Sequence, residues 1–320
     1  MIRIRCEKQK LQTLTQRHMD AIQGYIELQE SAYQESLYAA VSALTALPPP
    51  PYPDFASACE AGDWSWLEDL ILADVPTLRK LTMQDKPRLQ FEQFSDMYSQ
   101  HFSHAPETYL YGDYNAYSLL EGLGLHICPY CDEEPSETFR AGGKKRRNAQ
   151  LDHFFPKGEY SGLAMCFFNL VPSGTCNQTK LKGDLGANPY EPDIESHTRL
   201  FPDITLGANL ASLTPEDCRI DFHATGGMVQ NVYLLGLEDR YRKYRGEAYR
   251  LLKGLQFYSE AKREDLCRNF FDGDCDKLRE MLDLELPSEQ DWGQKPLTKL
   301  KHDILITAGP ETQKDGKEGP

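Results

Sequence analysis

The sequence predicts a mainly α-helical protein that carries one small, loop-rich module near its centre, and three observations support this. Apolar residues recur three and four apart in the first and last thirds of the chain. Between those thirds the pattern gives way to cysteine, histidine, aspartate, asparagine and a run of cations. The apolar fraction of 40% in 320 residues is ample for a real core, in one large domain or two modest ones.

Composition narrows the function classes. No apolar run is long enough to span a bilayer, and the opening MIRIRCEKQK carries charges where a secretory leader is apolar. The reading is a cytoplasmic protein with no membrane segment. Nine cysteines, an odd number and widely scattered, point to reduced thiols, and only Cys128 and Cys131 have ligand-like spacing. A net charge of -14 excludes a surface that coats nucleic acid, because phosphates are neutralised by Lys and Arg. Any such contact is local, or a partner supplies the rest.

Taken in order, residues 8 to 46 place Ile22, Tyr25, Ile26, Tyr33, Leu37, Val41 and Leu44 on one helical face. The proline-rich stretch 47–53 then breaks the helix as a stiff spacer, or serves as a polyproline recognition motif. Short helices follow from Asp54 to His104, with Asp63 as an N-cap before Trp64, and another covers Tyr114 to Leu123. Beyond Pro192 the pattern says little until Leu234, Leu237, Tyr241, Tyr244, Ala248, Leu251, Leu252 and Leu255, which predict one long packed helix. The polar ending GPETQKDGKEGP predicts disorder.

Chemistry concentrates in the centre: His126-Ile127-Cys128-Pro129-Tyr130-Cys131, Lys144-Lys145-Arg146-Arg147, Leu151-Asp152-His153-Phe154-Phe155-Pro156-Lys157, and Asn169 through Lys180. Hydrolysis of a phosphodiester needs an activated water, positive charge on the phosphorane oxygens and help for the leaving oxygen. A neutral imidazole can take the proton near pH 7, and His153 supplies one. Hard oxygen ligands hold a divalent cation for the other two tasks, and Asp152 with the Asn177 amide oxygen are suited to that.

The CPYC knuckle, LDHFFPK, NLVPS and CNQTK, in that order, resemble the HNH endonuclease family, which has a ββα-metal fold. The resemblance implies His153 as general base, Asp152 and Asn177 as ligands of a catalytic Mg²⁺ or Mn²⁺, and Asn169 as the brace of the loop carrying the base. It also implies a substrate-phosphate contact at Lys180. Lys144, Lys145, Arg146 and Arg147 are read as a hold on substrate backbone or as a solvated loop, and both stay open. Where many such proteins carry a second CxxC, this chain reads Ser173-Gly174-Thr175-Cys176. Cys128, Cys131 and Cys176 therefore form a structural zinc site with His126 or Cys166 as fourth ligand, or else a zinc-free packed knuckle.

The following Asn188-Pro189-Tyr190-Glu191-Pro192 extends the likeness to the HNH subunits of retron-associated and Septu-type antiphage systems. That implies a defence nuclease acting on nucleic acid, DNA before RNA, beside an ATPase of the ABC or SMC-like class. Two rival readings are a nuclease that cleaves transfer RNA and a zinc-knuckle scaffold that binds without cutting. The domain expectation is 1–123 helical, 124–190 nuclease core, 191–307 mostly helical and 308–320 tail.

Overall fold

Aspartate and asparagine side chains set where several helices of the first third begin. The computed structural model describes residues 1–104, 109–204, 212–257, 260–288 and 290–308. Helices α1 (Lys8–Glu27) and α2 (Ser31–Ser42) come first, followed by α3 (Phe55–Glu60), α4 (Ser65–Ile71), α5 (Val75–Gln84), α6 (Gln93–Met97) and α7 (Ala116–Leu123). The side chains of Asp54, Asp74 and Asn115 accept the first free backbone N–H groups of α3, α5 and α7. Asp63 sits one residue before the N-cap of α4, and its carboxylate still accepts from the Ser65 amide at 2.9 Å.

The single helix expected over residues 8 to 46 is two. The chain turns at Leu28 to Glu30, where the Ile26 carbonyl accepts from both the Gln29 amide and the Gln34 side chain, each at 3.0 Å, which closes the end of α1. The proline-rich segment crosses the outside of α2, tied there by the Tyr38 hydroxyl donating to the Tyr52 carbonyl at 2.6 Å. After α6 the chain makes one π-helical turn, Tyr98–Phe102, which carries Tyr98 to the centre of the molecule.

Three antiparallel hairpins follow. In the first, β1 (Thr138–Ala141) pairs with β2 (Lys144–Arg147) across Gly142-Gly143. Both glycines have positive φ, as a two-residue hairpin turn of this hand requires. In the second, β3 (Gln150–His153) pairs with β4 (Leu170–Ser173), so Asp152 faces Val171 and His153 faces Leu170. The third, β5 (Thr198–Ile204) with β6 (Cys218–Ala224), lies in the region read from sequence as helical. The helix start that the HNH resemblance implies at CNQTK is one 3₁₀ turn, Thr175–Asn177.

The last third contains α8 (Gly227–Leu234), α9 (Leu237–Tyr241), α10 (Arg245–Phe257), α11 (Glu260–Phe270), α12 (Cys275–Met281) and α13 (Thr298–Ala308). The one long helix expected from Leu234 to Leu255 is broken at Gly236, whose left-handed backbone ends the preceding turn, and is rewound through a 3₁₀ turn at Arg242–Tyr244. Cys267 and Cys275 form a disulfide, against the expectation of reduced thiols throughout. Helix thus dominates, with small two-stranded sheets between. Among the described residues no helix is long and apolar enough to cross a membrane. The disorder expected of the C-terminal tail falls outside the described residues.

Two apolar cores hold these elements. The larger runs from Met1 to Leu237 and joins the N-terminal helices to the β3–β4 hairpin, while the smaller packs β5 and β6 against α10 and α13 around Leu200, Leu251 and Ile304. His18 of α1 is at the centre of the larger core and is fully buried. Its Nε2–H donates to the Met165 carbonyl at 2.7 Å, so Nδ1 accepts from the Tyr114 hydroxyl at 3.1 Å. Phe102 and Phe167 meet its ring edge-on at 5.8 and 5.5 Å.

Burial pushes the His18 pKa down to about 4, against the pull of the Met165 carbonyl. The folded chain therefore keeps this ring neutral while the unfolded chain protonates it below about 6.5. Stability from this site is whole above pH 7 and drains away as pH falls through the window from 6.5 to 4. Urea denaturation of wild type and His18→Gln should show wild type losing on the order of 2 kcal/mol more between pH 7 and pH 5. Equal losses in the two proteins would refute the assignment.

Candidate active site

The β3–β4 hairpin brings the central motif together. Its connection, residues 154 to 169, runs through the larger core, where Leu163, Ala164, Met165, Cys166 and Phe167 have no exposed surface. Buried backbone polar groups need partners, and side chains supply several here. Asn169 accepts from the Phe155 amide at 2.7 Å and donates to the carbonyls of Phe155 at 3.2 Å and Leu163 at 2.9 Å. The side chain of the middle asparagine thereby ties both ends of the loop that follows His153.

His153 ends β3. Its Nε2 lies 3.0 Å from the Ala164 carbonyl, which can only accept, so Nε2 carries the proton and Nδ1 keeps its lone pair. Tyr98 closes one side of the ring at 4.4 Å between centroids. Burial pushes the imidazole pKa down to about 4, opposed by the Ala164 carbonyl and helped by the charge of Lys157. The ring is therefore neutral at pH 7, the form in which it can accept a proton.

Asp152 and Asn177 meet directly. The Asn177 amide donates to Asp152 Oδ1 at 2.6 Å, and the Tyr130 hydroxyl donates to Oδ2 at 2.8 Å. Burial raises the Asp152 pKa, and Lys180, Tyr130 and Asn177 only partly offset that cost. Asn177 Oδ1 is buried and has no hydrogen-bond partner. A carboxylate short of compensating charge and an orphaned amide oxygen are the donor types a hard divalent cation takes, and the two would converge on one ion with the Asn177 amide turned so that its oxygen, in place of its N–H, faces Asp152. The pair needs a positive neighbour more than it needs another hydrogen bond.

The turn that carries Asn177 is fixed by Glu134. One Glu134 oxygen accepts from the Cys176 amide at 2.7 Å and the Thr175 hydroxyl at 3.0 Å, while Arg240 holds the other at 2.9 Å. Gly174 is required here, because a Cβ would fall 2.6 Å from that carboxylate.

The basic residues divide. Lys180 lies near enough to Asp152 to act on its charge and has no ion pair with any described residue. Lys145 pairs with Glu121 at 3.0 Å, and Arg147 donates to the Ser103 carbonyl at 2.9 Å and covers the Tyr117 ring. Lys144 and Arg146 alternate with them on the outer face and are exposed. The run is thus a strand with one anchored and one free face.

The thiols of Cys128, Cys131 and Cys176 are buried and lie within 4.8 Å of one another, with Cys128 and Cys176 at 3.5 Å. Around a tetrahedral zinc, thiolates stand about 3.8 Å apart, so the spacing fits. Burial opposes ionisation of Cys128, but hydrogen bonds from Cys131 and Cys176 outweigh it and bring its pKa well down. Neither expected fourth ligand joins them: His126 is turned outward to Glu137 at 3.0 Å, and Cys166 is buried outside the group. Ser173, where a second CxxC would begin, has a buried hydroxyl with no partner.

Tyr130 and Lys157 stand inside motifs that the sequence singled out, but a phenol inside a thiol knuckle and a lysine after a proline carried no chemical flag. Tyr98 and the Ala164 carbonyl gave no signal at all, since one lies far away in sequence and the other is backbone. No protein-family model, curated protein or solved structure matches this chain.

Proposed function

We propose that this chain is a metal-dependent endonuclease with an HNH-like site, in which a single 3₁₀ turn at Thr175–Asn177 stands where a ββα-metal fold has its helix, hydrolysing phosphodiester bonds of DNA. The observation that carries the reading is the position of a neutral His153, its Nδ1 lone pair unspent, one residue from the buried Asp152 carboxylate that the Asn177 amide N–H contacts. In this mechanism His153 Nδ1 takes the proton of a water that attacks phosphorus. The Ala164 carbonyl steadies the imidazolium that results, and Tyr98 fixes the ring plane. Tyr130 and Asn177 orient the Asp152 carboxylate, and Lys180 adds positive charge beside it. Asp152 and Asn177 would hold Mg²⁺ or Mn²⁺, which supplies charge for the phosphorane and for the departing 3′ oxygen. The product end is a 5′-phosphate.

The resemblance in motif order supports an antiphage effector that works beside an ABC or SMC-like ATPase. The acidic balance of the chain, -14 overall, agrees with a partner that contributes its own cationic groove. His153→Ala should lower plasmid cleavage in Mg²⁺ at least about a hundredfold while leaving the circular-dichroism spectrum unchanged. A folded variant that cuts as wild type does would sink the mechanism. Cleavage confined to transfer RNA would replace the substrate, and binding without cutting in any metal would favour a scaffold.

The thiol group supports a second, structural role as a zinc site held by Cys128, Cys131 and Cys176. Elemental analysis should find zinc near equimolar with the purified chain, and Cys176→Ser should lose it and melt earlier. Zinc-free protein with the stability of wild type would leave a packed thiol knuckle instead.

A further inference from the structure

The segment Thr138–Arg147 holds five cations and no acid in a chain whose net charge is -14. It forms the β1–β2 ribbon, and the six residues from Phe139 to Lys144 around its tip are all exposed. Four residues per strand give it a length of roughly 13 Å. Arg140 lies directly across from Lys145, a like-charge pair that costs stability unless an anion compensates it. Glu121 compensates Lys145. The side chains of Arg140, Lys144 and Arg146 have no ion pair or hydrogen bond among the described residues. Phe139, exposed and across from Arg146, adds an apolar contact on the same face as Lys144.

The root of the ribbon is rigid and stands beside the candidate active site. Arg147 is anchored on the Ser103 carbonyl and the Tyr117 ring, and its charge reaches Tyr98, whose ring lies against His153. Two residues, Asn148 and Ala149, separate the ribbon from β3. The root of the ribbon thus leads directly into the strand that ends at His153.

We propose that the β1–β2 ribbon is a duplex-DNA arm that enters the major groove with the free face carrying Phe139, Lys144 and Arg146, while Arg140, exposed on the opposite face, meets a flanking phosphate, and that it leads the bound strand toward β3 and His153. The B-form major groove, about 12 Å wide, admits a two-stranded ribbon. The A-form groove of duplex RNA is too narrow for side chains to read. Arginine and lysine meet guanine edges or phosphates, and the exposed Phe139 ring suits a thymine methyl. The arm deepens the nuclease reading and rests on it for its substrate, though not for its binding test.

The test uses the full chain carrying His153→Ala, so that substrate survives, titrated by fluorescence anisotropy in Mg²⁺ at several salt concentrations. The probes are a labelled DNA duplex of roughly two helical turns and the RNA duplex of the same sequence. Adding Arg140→Ala, Lys144→Ala and Arg146→Ala together should weaken DNA binding at least about tenfold and lower the salt slope by about two to three. RNA should bind more weakly than DNA and change little. Unchanged DNA affinity in the triple variant, tighter binding to the RNA duplex, or no DNA binding by the parent chain would each overturn the arm. Cleavage by chains that retain His153 separates the two claims. Loss of binding in the triple variant without any cleavage by wild type keeps the arm and rejects the nuclease, and cleavage by both with equal binding does the reverse.

Discussion

Three consecutive buried carbonyls, those of Leu163, Ala164 and Met165, impose the constraint on which the centre of the molecule depends. They lie in a connection without secondary-structure ladders, and each takes a side-chain donor: Asn169, His153 and His18 in turn. The next elements continue the pattern, with Asn188 donating to the Phe168 carbonyl at 3.1 Å and the Tyr190 hydroxyl to that of Leu170 at 3.1 Å. A buried backbone acceptor left unmet costs about 1–3 kcal/mol; the Leu163 carbonyl also takes the Cys166 amide at 3.2 Å, so the dependence is sharpest at Ala164 and Met165, whose histidine partners are structural before they are anything else. Helix α1, the β3–β4 hairpin and the Asn188 to Tyr190 segment are joined through the loop they satisfy.

The same bonds fix the tautomer that the proposed chemistry needs. Because the Ala164 carbonyl claims Nε2, the proton of His153 is fixed on one nitrogen and the lone pair on the other. A free surface histidine would sample both tautomers and half its charge states near neutrality. Across the strand, Tyr130 from the thiol knuckle and Asn177 from the Glu134-capped turn bracket one carboxylate. The thiol group thus acts on the candidate cation site through one phenol, which couples the integrity of the knuckle to the geometry of Asp152.

Local spacing made part of this legible. Cys128 and Cys131 are three residues apart, Asp152 and His153 are neighbours, and the residues with matching roles fall within a short stretch, so their chemistry reads directly from the chain. The free outer face of β2 was not legible, since a run of four cations has no sides until Gly142-Gly143 folds it back. Residues 8 to 46 kept helical periodicity across the break at Leu28, and periodicity cannot report a carbonyl capped by Gln34. Alternation in Cys218-Arg219-Ile220-Asp221-Phe222-His223-Ala224 did announce β6, and the helical reading of that region passed over it. Tyr98 and His18 reach the centre only through tertiary packing, which no local pattern encodes.

The central claim is that Asp152 and Asn177 hold one divalent cation beside a neutral histidine. Mn²⁺ titration followed by electron paramagnetic resonance tests it most directly, on wild type, Asp152→Ala, Asn177→Ala and His153→Ala. The account predicts one Mn²⁺ per chain in wild type and His153→Ala, with binding lost in Asp152→Ala and weakened in Asn177→Ala. Binding that survives Asp152→Ala unchanged would contradict it.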